Sequence, residues 1–325
     1  MATWTERQPK GAQNGNWETI GVGGDRSKII IGEYGGRLYT SVDNGESWTE
    51  RQPAEDFDRE WYCVAPSSDG LKLIAGLHNI RLYTSVDGGE IWTERQPAGD
   101  SDENWRCVAS DLDGSNLIAG IYGGRIYISG DSGASWGETQ PRGDVNTLWR
   151  GAASSEDGQK LIVCGYTYRI WTTEDGGTNW EERQPAGDVD KNWTCVASDL
   201  DGSNLIAGVG GGRLYTSING GVSWTERQPA GDVDKNWYCV ASDLDGSNLI
   251  AGAQNDRLYT SADGGETWEE QKPAGESDED WRVVGSGDTG AKLIAGSFAG
   301  RLYTTEDAFV APTGKPGHLM MMGIG

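Results

Sequence analysis

The chain has 325 residues and sets 27 Lys and Arg against 50 Asp and Glu, for a formal charge of −23. This balance argues against nucleic acid and anionic membrane surfaces, both of which need a basic face, and it suits a soluble protein with a cationic partner or a salty surrounding. Fifty glycines and 15 tryptophans are the composition of many short strands joined by tight turns.

A strict period organises everything else. Trp4, Trp48, Trp92, Trp136, Trp180, Trp224 and Trp268 stand 44 residues apart with no insertion. An Arg-Leu-Tyr phrase or a near variant keeps the same step, beginning at Arg37, Arg81, Arg125, Arg169, Arg213, Arg257 and Arg301. Seven periods end at residue 308. A fixed repeat of this length means an array of one supersecondary unit, not two ordinary domains.

Residues 4–9 form a lone outer strand with no unit before them. The second unit then shows the full pattern. Strands are predicted at 61–65, 72–76, 81–85 and 92–96, with a Ser-Asp-Gly turn between the first two and an Asp-Gly-Gly turn between the last two. Four antiparallel strands per repeat make a propeller blade. The predicted fold is an all-β, seven-bladed β-propeller over residues 1–308. The inner two strands of each blade read as apolar on both faces, as in sheets sandwiched between neighbours. The outer strand carries Glu94 and Arg95 or their equivalents, which suits an exposed edge. Residues 281–305 supply three strands without a fourth, so strand 4–9 is expected to complete the last blade. Residues 309–325, with two prolines and Leu319-Met320-Met321-Met322, read as a flexible tail.

Four of the five cysteines (Cys63, Cys107, Cys195 and Cys239) share one repeat position, and Cys164 lies on another strand. Stacked sheets would hold the four about 10 Å apart, beyond the roughly 7 Å that a disulfide permits. Small buried thiols are expected, and a reducing compartment is allowed. The first residues enter the repeat at once, with no basic-then-apolar leader and no apolar run of membrane length. The expectation is a cytoplasmic or otherwise unexported monomer.

The pattern Ser/Thr-x-Asp-x-Gly-x-x-Trp resembles the Asp-box (BNR) repeat. It is clear around Asp43, Asp87, Asp131, Asp175 and Asp263, altered at Asn219, and split between the termini at Asp307. The resemblance covers residues 1–308 and implies a propeller of the superfamily that includes sialidases, xyloglucanases, sortilin-type receptors and the photosystem II assembly factor family. It also implies that the Asp boxes are structural turns remote from the ligand face. Their chemistry agrees, since Asp can accept backbone N–H bonds while the glycines take positive φ.

Catalytic residues are not evident. His78 and His318 are the only histidines, and neither has a nucleophile beside it. A sialidase would add an arginine clamp, a tyrosine nucleophile and an Arg-Ile-Pro phrase, but Arg125-Ile126 and Arg169-Ile170 are followed by Tyr127 and Trp171. The Asp111-Leu112-Asp113-Gly114 turns lack the later ligands of a calcium loop, so no metal or cofactor is expected. Arg142-Gly143-Asp144 and the sequon Asn192-Trp193-Thr194 read as incidental products of the repeat.

The seven repeated arginines lie beside acidic loops such as Asp56 and Asp58, or Asp100 and Asp102. They form either an internal ring serving the blades or part of a binding face. The loop before each arginine varies from copy to copy, and varied loops on a rigid scaffold are where recognition is placed. The candidate ligand-binding residues are therefore Tyr34, Arg37, His78, Arg81, Tyr122, Arg125, Tyr166, Tyr168, Arg169, Arg213, Arg257, Phe298 and Arg301. The expected function is non-catalytic: protein binding through this loop face, with a multivalent lectin as the alternative. A photosystem assembly role is a further alternative, implied by the family resemblance alone.

Overall fold

A computed structural model describes residues 2–24, 26–306 and 308–309. Asp307 and nearly all of the expected tail lie outside the described residues. Among those residues are 28 strands and no helix, in antiparallel sheets. The second repeat is representative. Its strands run Arg59–Pro66, Leu73–Leu77, Leu82–Ser85 and Thr93–Arg95, paired in that order. Arg81 and Trp92, predicted to start strands, stand just before them. Trp92 belongs to the turn instead, where its indole N–H donates to the Gly89 carbonyl at 2.9 Å.

The inner strand breaks the predicted pattern. The second and third strands are buried throughout, but the inner strand alternates between buried and partly exposed residues. One face carries Trp61 and Cys63 into the sheet stack, and the other faces a central channel. The prediction that both inner strands are apolar on both faces is therefore wrong for the first. It has a neighbouring sheet on one side and a channel on the other.

Packing between units rests on tryptophan against glycine. Trp17, Trp61, Trp105, Trp149, Trp193, Trp237 and Trp281 are at most 2% exposed. Each sets an edge against Tyr39 or its equivalent on the third strand of its own unit, at centroid distances of 5.4–6.5 Å. Six of the seven meet the preceding unit at a glycine with no room for more, and Trp193 meets Cys164 there. A Cβ on Gly32 would sit 2.8 Å from that of Trp61, and a Cβ on Gly76 2.8 Å from that of Trp105. The resulting cores join residues of successive units: Ile30 and Leu38 pack with Trp61 and Tyr83, and Ile74 and Leu82 with Trp105 and Tyr127. This is β-propeller architecture.

The five thiols are free and buried. Burial pushes Cys107 and Cys195 up to about 12, which leaves them inert at neutral pH.

The first described strand meets the last. Thr5–Arg7 pairs antiparallel with Leu302–Thr305, and Gly15 bridges Gly300. The guanidinium of Arg26, fully buried, donates to the Leu293 carbonyl at 2.8 Å and pairs with Glu306. Turns between first and second strands are laced across units, Ser68 N–H to Leu112 O, Leu112 to Glu156, and on to Asp288 N–H to Gly24 O at 3.0 Å.

The Asp boxes hold the opposite ends of the third strands from the varied loops. Asp87 accepts the N–H groups of Glu90 and Ile91 at 3.0 and 2.9 Å and the Ser85 hydroxyl at 2.7 Å. Asp43, Asp131, Asp175 and Asp263 do the same work in their turns. Asn219 reproduces it, accepting from Ser223 N–H at 2.9 Å and donating to the Ser223 hydroxyl at 2.9 Å.

Deleting residues 1–9 strips a strand from Leu302–Thr305, and the melting temperature is expected to fall by about 5 °C or more; an unchanged melt would show that this pairing adds no stability. Replacing Asp87 with Ala should cost about 1 kcal/mol in denaturant titrations, and replacing it with Asn distinctly less, since the fifth repeat already uses Asn. The same turns govern acid stability. Hydrogen bonds from Ser135 hold Asp131 down at about 2, and those from Asn179 hold Asp175 at about 2. Carboxylates depressed in the folded state stabilise it above the usual aspartate range, and that contribution is lost as pH falls toward about 2. Melts between pH 5 and 2 should decline accordingly, with a shallower decline in Asp131→Asn.

Candidate functional site

The first residue after each inner-strand tryptophan points into the channel: Glu18, Tyr62, Arg106, Arg150, Thr194, Tyr238 and Arg282. Two residues on, Ile20, Val64, Val108, Ala152, Val196, Val240 and Val284 form an apolar belt beneath them. Two further, Ser110, Ser154, Ser198, Ser242 and Ser286 line the far end. The alternation of one strand thus layers the channel into a charged mouth, a greasy waist and a serine floor.

The mouth gathers three arginines around one carboxylate in a protein that is acidic elsewhere. The Glu18 side chain is only 5% exposed. Its Oε1 accepts from the Tyr238 hydroxyl at 2.8 Å and from Arg106 Nη2 at 3.2 Å, and its Oε2 from Arg282 Nη1 at 3.3 Å. Burial pushes the Glu18 carboxyl above its usual range, against the pull of Arg150, Arg282 and the Tyr238 hydrogen bond. Burial likewise raises the Tyr238 phenol beyond its ordinary value. Arg106 lies 3.7 Å over the Tyr62 ring, Arg282 4.2 Å over Tyr238, and Arg150 4.9 Å over Tyr238 and 5.5 Å over Tyr166. Arg282 is also held by Asp280, with two contacts of 2.9 Å. Arg150 has a buried Nε with no hydrogen-bond partner.

The residues singled out from the sequence divide into two sets. Tyr34, His78, Tyr122, Tyr166 and Phe298 surround the mouth: Tyr34 packs against Phe298 and Tyr62, Tyr62 against His78, and Tyr122 against Tyr166. The His78 Nδ1 is 2.6 Å from Glu60. The repeated arginines lie apart from it and clasp the loops leading to the next unit. Arg81 Nη2 meets Asp100 at 2.7 Å and its Nε meets Asp102 at 3.2 Å. Arg37, Arg125, Arg169, Arg213 and Arg257 hold the corresponding acids. Arg301 instead reaches Glu6 and the Ala12 and Gln13 carbonyls. Tyr168 stacks under Arg142 at 3.9 Å, away from the mouth.

The mouth residues themselves were missed. A signal was present: the residue after each inner-strand tryptophan runs Glu, Tyr, Arg, Arg, Thr, Tyr, Arg, polar in every copy.

Fold and turns together define a β-propeller built on Asp-box turns, and the BNR/Asp-box repeat family matches the chain at residues 259–270. No curated protein matches the sequence. Among solved structures, YCF48 from Cyanidioschyzon merolae is 15% identical with a TM-score of 0.70, over 94% of this chain and 98% of that one. A structure of YCF48 bound to D1 peptide is 17% identical with a TM-score of 0.71, over 94% of each chain. An ancestral GH74 enzyme is 14% identical with a TM-score of 0.72, over 93% of this chain but 46% of the enzyme. At these identities the likeness is one of fold. Among the described residues no helix is long and apolar enough to cross a membrane, and no group of three or more His, Cys, Asp or Glu is placed to hold a metal.

Glu18 competes with any anion for the mouth arginines. Below its raised folded-state pKa it is protonated and the competition ends, so sulfate, which keeps its charge, should bind more tightly on acidification. Calorimetric titration checks this, and Glu18→Gln should bind sulfate with a weaker pH dependence.

Proposed function

We propose that residues 1–308 form a single seven-bladed propeller, closed by its N-terminal strand, that acts as a monomeric, non-catalytic binding module for a protein partner. The partner meets the face of varied loops, and an acidic group of it enters the channel mouth. The observation that carries this reading is the convergence of Arg106, Arg150 and Arg282 on that face, with the Arg150 Nε buried and unpartnered. Arginine forks match carboxylates bidentately, and in a mouth floored by an apolar belt the pairing is little screened. On the opposite face the described Asp-box carboxylates are engaged in turns.

Two further points support binding over chemistry. In the mouth the Tyr238 hydroxyl donates to the Glu18 carboxylate, and its raised pKa keeps it protonated, opposite to what an activated nucleophile needs. A fold likeness to a YCF48 structure bound to D1 peptide favours a peptide-bearing partner over a glycan, while the GH74 likeness covers less than half of that enzyme.

The test uses arrayed peptides of graded charge. Acidic peptides should be retained and basic ones not, and Arg150→Gln with Arg282→Gln should weaken retention about tenfold or more, with a cooperative melt confirming that the variant is folded. Asp87→Ala, on the opposite face, should leave retention intact. Undiminished binding by the arginine double variant would overturn the reading, as would turnover of an oligosaccharide.

A further inference from the structure

The loop position that opens each second-to-third connection carries a large side chain in six repeats: Tyr34, His78, Tyr122, Tyr166, Gln254 and Phe298. In the fifth repeat it is Gly210. The repeat itself indicates what such a position holds. Tyr34 packs between Phe298 of the preceding loop, at 6.2 Å, and Tyr62 of the following inner strand, at 5.8 Å. The counterparts of those two neighbours around Gly210 are Tyr166 and Tyr238. With Thr194 and Gln254 they wall a cavity of about 380 Å3.

The backbone there does not demand glycine. Gly210 is absent from the residues with positive φ; its neighbour Gly211 takes that conformation, with φ 74°. A Cβ on Gly210 would press only on the Thr194 methyl, at 3.0 Å. The small residue therefore leaves open a slot that other repeats fill with an aromatic ring. Its rim is built with strain. Thr167, a β-branched residue, sits at φ 60°, its N–H donating to Asn192 Oδ1 at 3.2 Å. Arg150 forms the boundary between slot and mouth, near both Tyr166 and Tyr238.

We propose that the Gly210 slot receives a tyrosine or phenylalanine side chain of the partner, adjacent in its sequence to the acidic group held at Arg150. This rests on the protein-binding reading above and narrows it to an aromatic-plus-acid segment. The ring stacks between Tyr166 and Tyr238 as Tyr34 does between its neighbours. The carboxamides of Asn192 and Asn236 face the peptide groups beside it.

Three small probes separate the parts in NMR titrations of the intact protein: N-acetyl-tyrosinamide for the slot, acetate for the mouth, and N-acetyl-tyrosine for both. Both tyrosine probes should shift slot resonances such as Trp237, and N-acetyl-tyrosine should bind more tightly than either partial probe. Gly210→Tyr, which gives the fifth repeat the fourth repeat's residue, should abolish slot shifts by N-acetyl-tyrosinamide and leave acetate binding unchanged. If that variant melts early, Thr194→Arg, the residue of three other repeats, blocks the slot from below. Acetate binding without any tyrosinamide shift overturns the slot while the mouth stands. Tyrosinamide binding without acetate keeps the slot and removes the mouth. Preferential binding of a neutral hexose, or tyrosinamide binding that survives Gly210→Tyr, also overturns the proposal.

Discussion

The structure depends on one repeated contact, a tryptophan set at its Cβ against a small residue of the preceding unit, glycine in all but one. Burying a ring of this size removes much apolar area from water, but only if the sheets approach closely enough to leave no void. Glycine at the contact makes that approach possible, and the third-strand tyrosine fixes the ring from its other side. Since each unit both offers a tryptophan and supplies the small residue its neighbour needs, glycine in six and Cys164 in the fourth, no unit is satisfied alone. The strict 44-residue spacing follows from this, because an insertion would shift one partner of the contact and not the other.

A scaffold held this way leaves the channel-facing side of the inner strand free of structural duty. Those positions face the channel, so most of them can carry charge without disturbing the core, while the Thr194 hydroxyl donates to the Trp237 carbonyl of the next unit. Three arginines and a buried glutamate are tolerated there because they neutralise one another in part and stack on tyrosines. The apolar belt below them separates the mouth from the serine-lined end, so the mouth is a cup entered from one side.

How much of this was legible depended on repetition. The Asp boxes, the tryptophans and the arginine clasps each occur at nearly every step, and periodicity exposed them directly. The loop aromatics Tyr34, Tyr122, Tyr166 and Phe298 were visible as departures from a constant frame. Arg106, Arg150 and Arg282 were hidden for the opposite reason: they sit within a strand whose other residues repeat, and a Trp-x-Cys-Val-Ala run reads as uniformly buried unless the channel is known. Gly210 was harder still, since one more glycine among 50 carries no signal until its cavity is seen.

The fourth unit reverses one detail of the inner hairpin. In four other units a cysteine on the inner strand faces a glycine on the second, as Cys107 faces Gly120, with Thr19 and Val283 in that place in the first and last; here Gly151 faces Cys164. The sulfur fills the same gap from the opposite strand, 2.9 Å from where a Gly151 Cβ would lie. The two residues therefore form an inherited pair. Recombination that cut between them would bring together two sulfurs or two glycines, one too crowded and the other hollow. Units of this protein can be exchanged whole, at the outer strand, but the inner hairpin is indivisible.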